Sequence, residues 1–291
     1  MSPRARGLRV AGVAALGLGL ASACVEDSTS ALSGPDGQPP DDASTATEAA
    51  DLRDAAFAPD AAVVEVSGHA FTFTAGGGDI VGATVRWVEQ PEMTAPTGEG
   101  GAFRFSGVAA GRDLTLELVA DGFPPIRTGT HVVPPEGIAR LTFQAPDAEM
   151  YRLMAGILRL TPDPERCQIA STVTRVGNSL YDDTPGTHGE PGATVRLDPM
   201  PEDADGPVYF NLARYNAIWP DRALTETTAD GGVLFLNVPP GDYVLTAQKP
   251  DATFRSVRIG CRAGFLVNAA PPWGLQALTG GVGPRTEPDW Q

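Results

Sequence analysis

Hydrophobic and polar positions alternate with a period of two through much of the chain. Val64 and Val66, Thr84 to Trp87, Phe103 and Phe105, and Leu114, Leu116 and Leu118 each line up on one face of an extended segment. Gly- and Pro-rich stretches punctuate these runs, so the pattern predicts short antiparallel strands with one buried face. One segment departs from it. Met150, Leu153, Met154, Ile157 and Leu158 recur at i, i+3, i+4, i+7 and i+8, after Asp147 and before Pro162 and Pro164. This spacing predicts a single short helix, capped by Asp147, whose stripe either packs against a sheet or docks a partner.

The chain also repeats itself. Gly82-Ala83-Thr84-Val85-Arg86 returns as Gly192-Ala193-Thr194-Val195-Arg196, and Gly101, Phe103, Phe105, Val108 and Gly111 return as Gly231, Val233, Phe235, Val238 and Gly241. The second copy is longer between its two motifs, and the surplus falls in residues 200–222. Two related domains follow. With 34 Gly and 27 Pro in 291 residues, long helical bundles are excluded, and strands of this length and number close most readily into two-layer sandwiches.

At these residues a resemblance becomes specific. Gly-Ala-Thr-Val, then Thr97, Gly101, Phe103, Phe105, Val108 and Gly111 in the first copy, and Thr227, Gly231, Phe235, Val238, Gly241 and Tyr243 in the second, resemble the carboxypeptidase regulatory-like family. That resemblance implies an all-β fold: two tandem seven-stranded transthyretin-like β-sandwiches, non-catalytic modules of exported proteins. The first spans residues 62–146 and the second 166–275, with residues 147–165 as a helical connector and 276–291 as a flexible tail.

Arg4, Arg6 and Arg9, the apolar run Val10 to Leu20 and the small residues Ala21-Ser22-Ala23 precede Cys24. Residues 1–23 read as an export signal, too short in its apolar part for a membrane span. The segment resembles a bacterial lipoprotein signal, which implies lipid on Cys24 and a membrane partner reached through it; cleavage that leaves a free thiol is the alternative. Val25 after Cys24 resembles lipoproteins sorted to the outer membrane, facing the periplasm or the cell surface. Residues 24–61 carry many acids against Arg53 alone, a composition that predicts a disordered tether.

With Cys24 assigned to lipid, Cys167 and Cys261 are an even pair in an exported chain, expected to be bonded, with two separate buried thiols as the other option. In the chain-entropy account, closing so long a loop stabilises by about 4.7 kcal/mol.

A formal net charge of -15 opposes binding to phosphate backbones, so nucleic acid is not an expected partner. The three histidines, His69, His131 and His188, form no His-Glu-x-x-His and no late His-x-His pair, so neither zinc hydrolysis nor intradiol ring cleavage is expected, nor any metal or other cofactor. No Gly-x-Ser-x-Gly elbow occurs either. Asp183, His188 and Glu190 share a Gly/Pro-rich stretch that reads as surface turn chemistry. The chain is therefore expected to be a non-catalytic binding, adhesion or scaffolding module. Recognition is expected in the insertion, where Tyr209, Arg214, Tyr215 and Trp219 combine rings with polar groups and suit a polysaccharide or an envelope protein. Alternatively, these aromatics fold inward over the second core. Phe265 to Asn268 reads as a last strand.

Overall fold

The computed structural model describes residues 62–73, 78–179, 188–212 and 218–284, all within the unit Ala56–Gln291. The export signal, Cys24 and the acidic tether lie outside the described residues. Among those described, the first copy runs through β1 (Val63–Thr72), β2 (Thr84–Trp87), β3 (Gln90–Pro96), β4 (Ala102–Ala109), β5 (Asp113–Leu114), β6 (Leu116–Val119), β7 (Ile126–Thr128), β8 (His131–Val132) and β9 (Phe143–Ala145). After α1 (Ala148–Leu158) come β10 (Cys167–Thr174), β11 (Thr194–Asp198), β12 (Asp205–Leu212), β13 (Ile218–Asp221), β14 (Gly232–Val238), β15 (Gly241–Gln248), β16 (Ala252–Phe254), β17 (Val257–Cys261), β18 (Leu266–Asn268) and β19 (Leu275–Gly280). Among the described residues the fold is an all-β sandwich architecture with one α-helix.

Each copy encloses its own core between two layers. In the first, β4-β1-β9 faces β3-β2-β6-β7, and Val66, Trp87, Phe103, Phe105, Leu116, Leu118 and Phe143 fill the space between. Full burial of such a side chain is worth roughly 1.5–3 kcal/mol. In the second, β13-β12-β14-β10-β18 faces β11-β15-β17 around Ile169, Val195, Phe235, Leu245 and Ile259. The disulfide Cys167–Cys261 joins β10 to β17 and so ties these two layers together.

The repeated motifs perform the same task twice. Thr97 Oγ1 accepts the Ala83 N–H at 2.9 Å, and Thr227 Oγ1 accepts the Ala193 N–H at 2.9 Å. Gly82 N–H reaches the Thr97 carbonyl at 2.8 Å, and Gly192 N–H the Thr227 carbonyl at 2.8 Å. Gly101 and Gly231 both adopt positive φ, 66° and 78°. A Cβ at either would fall far inside van der Waals contact of a backbone oxygen, that of Ala70 or Val173 respectively. Glycine is required there by both conformation and space.

Strand β18 joins the two sandwiches. It pairs in parallel with β10 (Gln168 opposite Leu266) and with β7 (Leu266 opposite Ile126), producing one continuous sheet of eleven strands. Leu266 contributes to the first core although it belongs to the second copy. Around this seam the Arg127 guanidinium stacks 4.7 Å from the Phe265 ring centroid, Thr130 N–H donates to the Arg258 carbonyl at 2.8 Å, and the Asn268 amide donates to the Gln144 carbonyl at 3.2 Å. A Cβ at Gly129 would meet Val257 Cγ1 at 2.5 Å, so the modules approach closely there.

Three expectations are corrected. Residues 276–280 are not tail but most of β19, which pairs with β10 and β16. Phe265 to Asn268 is consequently not the last strand; β18 is the junction. Glu190 is not a surface residue. It is fully buried, Lys249 Nζ lies 2.5 Å from Oε1, and the Val282 N–H donates to the same oxygen at 3.0 Å. The first copy has Ile80, also buried, at the corresponding position.

Candidate functional site

Helix α1 begins where Asp147 Oδ1 accepts the N–H groups of Glu149 and Met150 at 3.0 and 2.8 Å, satisfying two donors of the first turn. It ends at Arg159 in the left-handed region, φ 51°. Only part of its apolar stripe is used for packing. Met154 and Leu158 meet Val208, Phe210, Leu234 and Leu236 of β12 and β14, whereas Leu153 and Ile157 remain 47% and 41% exposed. Arg222, paired with Asp205 at 2.7 Å, also donates to the Leu158 carbonyl at 3.4 Å, tying the hairpin β12–β13 to the helix end.

The helix is received by the outer face of β14, and its counterpart β4 shows why. Where β4 presents exposed Arg104 and Ser106, β14 presents Leu234 and Leu236. A strand apolar on both faces needs cover on both. The cover is incomplete. Beneath α1 lies a cavity of about 260 Å³, walled by Tyr151 and Met154 of the helix, Phe210 and Leu234 of the sheet, and Phe73 and Pro146 of the first module. Its size is near the lower end of small-molecule pockets, and its place between modules is a common one for them.

Few polar groups reach this space. Gln168 and Asn268 come from β10 and β18, and Asp230 and His188 from the turns near Gly232. Gln168 is committed to Asn237 of β14: its amide donates to Asn237 Oδ1 at 2.9 Å, and its side-chain carbonyl accepts the Asn237 N–H at 2.9 Å. Asp230 accepts one hydrogen bond, from the Gly232 N–H at 3.0 Å. Burial pushes its carboxyl up to about 6, the Gly232 N–H opposing. Tyr151, half-enclosed, has its hydroxyl pushed up by burial as well.

The residues expected to bind ligand fare unequally. Tyr209 is 1% exposed; its ring fills the second core and its hydroxyl accepts the Val195 N–H at 2.9 Å. Alternation explains this, since Tyr209 and Phe210 are adjacent on β12 and take opposite faces. The platform thus loses Tyr209, which lies inward as a core group. Arg214 and Tyr215 lie outside the described residues. Trp219, half-buried, sits opposite Asn211 in the hairpin register, and the Asn211 amide donates to Asp221 at 3.1 Å. Asp230 and the outer face of β14 carried no expectation. The unbroken apolar run Val233 to Leu236 was the available signal.

Of the ionisable groups elsewhere, Glu117 has a clear structural place. Glu117, fully buried, accepts Arg86 Nε at 3.0 Å and Arg127 Nε at 2.6 Å. His69 is exposed on β1, and His131 lies edge-on to Trp273 with ring centroids 6.2 Å apart. Among the described residues no three His, Cys, Asp or Glu converge as metal ligands.

No family model matches the chain, and no curated protein does. Solved structures similar to it at low level include the following three. The Bacillus anthracis TIE protein is 10% identical with a TM-score of 0.24, over 71% of this chain and 33% of that one. A candidate carbohydrate-binding protein from Bacteroides uniformis ATCC 8492 is 10% identical with a TM-score of 0.24, over 68% of this chain and 96% of that one. The shaft pilin SpaA from Lactobacillus rhamnosus GG, a double mutant, is 10% identical with a TM-score of 0.22, over 76% of this chain and 100% of that one. This chain therefore spans a third of the TIE protein's length. The all-β assignment rests on its own strands.

Proposed function

We propose that this protein is a non-catalytic, lipid-anchored component of the cell envelope, in which two fused carboxypeptidase regulatory-like sandwiches carry a small-molecule binding cavity. The observation that carries this reading is the cavity itself, built from both modules and the connector helix. Support for the module type comes from the duplicated Thr97/Thr227 and Gly101/Gly231 turns. Support for a non-catalytic role comes from the two fully buried acids, Glu117 and Glu190, which are each occupied by cations or backbone donors. The anchor rests on the residues before Cys24, with the outer membrane as the expected location. A polysaccharide platform on the insertion is the weaker reading, because Tyr209 is absorbed in the core.

Two measurements test it. Cells expressing the full chain with an alkyne-tagged fatty acid should label it, and Cys24→Ser should abolish the label and move the protein to the soluble fraction; persistent membrane association without label would overturn the anchor. For the cavity, Ala155→Phe should fill the space from the helix and abolish protection of the protein by small apolar ligands in thermal melts. Equal protection of both forms would place binding elsewhere.

A further inference from the structure

The two copies differ at one turn in a way that bears on what the cavity accepts. In register with Gly100-Gly101-Ala102 of the first module, the second has Asp230-Gly231-Gly232. A carboxylate has been gained, and two residues later a methyl group has been lost. Both changes act on one spot. A Cβ at Gly232 would come within 2.6 Å of Asp230 Oδ2 and 2.7 Å of Phe210 Cδ2. The bare glycine therefore lets the carboxylate and the aromatic ring share the same corner of the cavity. Ala102, the counterpart of Gly232, is exposed and lines no part of the cavity beneath α1.

That corner is electrostatically incomplete. The Asp230 carboxyl has the Gly232 N–H as its hydrogen-bond donor, and among the described residues no Lys or Arg lies within ion-pair distance of it. Elsewhere in this protein buried carboxylates are neutralised, Glu117 by two arginines and Glu190 by Lys249. An isolated carboxylate in an apolar wall is costly unless a cation or donor meets it.

We propose that the cavity binds a small primary amine with an aromatic or aliphatic body, its ammonium group seated between the Asp230 carboxylate and the Phe210 ring. This inference rests on the reading that the cavity is the binding site. The ammonium would complete the missing ion pair and gain from the ring face, while Met154, Leu234 and Tyr151 would cover the body. At roughly 30 Å³ per water-sized group the cavity accommodates about nine heavy atoms, the size of a phenylethylamine. An anion is disfavoured by the same carboxylate, and a sugar would leave its hydroxyls against Met154, Leu158 and Leu234.

Calorimetry on the purified mature protein tests this with 2-phenylethylamine and its neutral analogue 2-phenylethanol at pH 7.5. The amine should bind at least tenfold more tightly than the alcohol. Asp230→Asn, which keeps an acceptor for the Gly232 N–H and so preserves the turn, should abolish that preference. Affinity for the amine should fall at least fivefold from pH 7.5 to pH 5 as Asp230 protonates. His188 and Tyr151 are the other titratable groups lining the cavity, so a pH effect that survives in Asp230→Asn would belong to them and would overturn the role of Asp230. Equal binding of amine and alcohol, with both lost in Ala155→Phe, would overturn the amine preference and leave the cavity standing as a site. Amine binding unchanged in Ala155→Phe, or no binding of either compound at 10 mM by order of magnitude, the weak end of the affinity scale, would overturn both.

Discussion

Asp113 of β5 and Arg258 of β17 face each other across the seam between the two sandwiches. Arg258 Nη1 donates to Asp113 Oδ2 at 2.9 Å and Nη2 to Oδ1 at 2.6 Å, a bidentate pair between residues far apart in the chain. Both side chains are about half exposed, 48% and 47%, so solvent and salt screen the attraction. A double-mutant cycle of Asp113→Ala and Arg258→Ala, followed by urea unfolding, should give a coupling of roughly 0.5–1 kcal/mol. The Arg258 hydrogen bond holds the Asp113 carboxyl below its usual range. Its contribution is therefore present near neutral pH and lost as pH falls through that lowered value. The coupling should shrink in 1 M salt, by the order of magnitude that screening allows; a coupling indifferent to salt would contradict this account.

Glu117 should matter more than any surface pair. It is completely buried and bracketed by Arg86 and Arg127. Glu117→Gln removes the charge that neutralises both, and Arg127 is itself largely buried, 12% exposed. A loss of about 3 kcal/mol is expected in chemical denaturation. A change below about 0.5 kcal/mol, the range of ordinary surface substitutions, would show that water rather than the carboxylate solvates these guanidiniums.

Duplication predicts duplicated sensitivity. Gly101→Ala and Gly231→Ala each force a side chain into the left-handed region and onto a backbone oxygen. Each should cost about 2 kcal/mol or more, lowering Tm by roughly 4–8 °C. Gly111→Ala has positive φ, 80°, yet nothing within 4 Å of the added carbon, so it should cost less than either. Comparable losses for all three would mean that conformation alone, not close approach, sets the penalty.

Two buried groups should tilt stability against pH in opposite directions. Burial pulls the His131 ring down to about 4, the Pro271 backbone opposing and Arg255 and Arg258 assisting. Between pH 4 and 6.5 the unfolded chain binds a proton here that the folded protein refuses, so His131 makes stability fall as pH falls. Asp230, pushed up to about 6, does the reverse: the folded protein keeps a proton that the unfolded chain releases, so its stabilisation is lost as pH rises. Each is worth up to about 3 kcal/mol by linkage. His131→Phe should therefore flatten the acid side of the stability curve. Asp230→Asn should steepen it and raise stability at pH 7.5. The check is urea midpoints from pH 4 to 8, and parallel curves for all three proteins would sink the assignment.

Much of this architecture could be read from residue order. Period-two alternation at Phe103 and Phe105 faithfully reports a strand with one wet face, because the alternating Arg104 and Ser106 are solvated. The stripe of α1 announced the helix, and the repeated Gly and Thr positions announced two copies of one turn. The site was legible only in fragments. Tyr209 looked like a surface ring because ring chemistry says nothing of which face of β12 it takes. Asp230 drew no expectation from its own neighbours, although comparison with Gly100 marks it as a difference specific to the second copy.

What the sequence determined by itself was local: where strands alternate, where glycine must turn the chain, and that one helix intervenes. Those properties depend on neighbours a few residues away or on a repeated pattern. What only the tertiary structure decided was long-range pairing. It seated β18 between β10 and β7, laid α1 over Leu234 and Leu236, and left a gap bordered by Asp230. Edge hydrogen bonds are nearly indifferent to sequence, so the choice of partner strand is made by the fit of side-chain surfaces from distant parts of the chain. No local pattern encodes that fit.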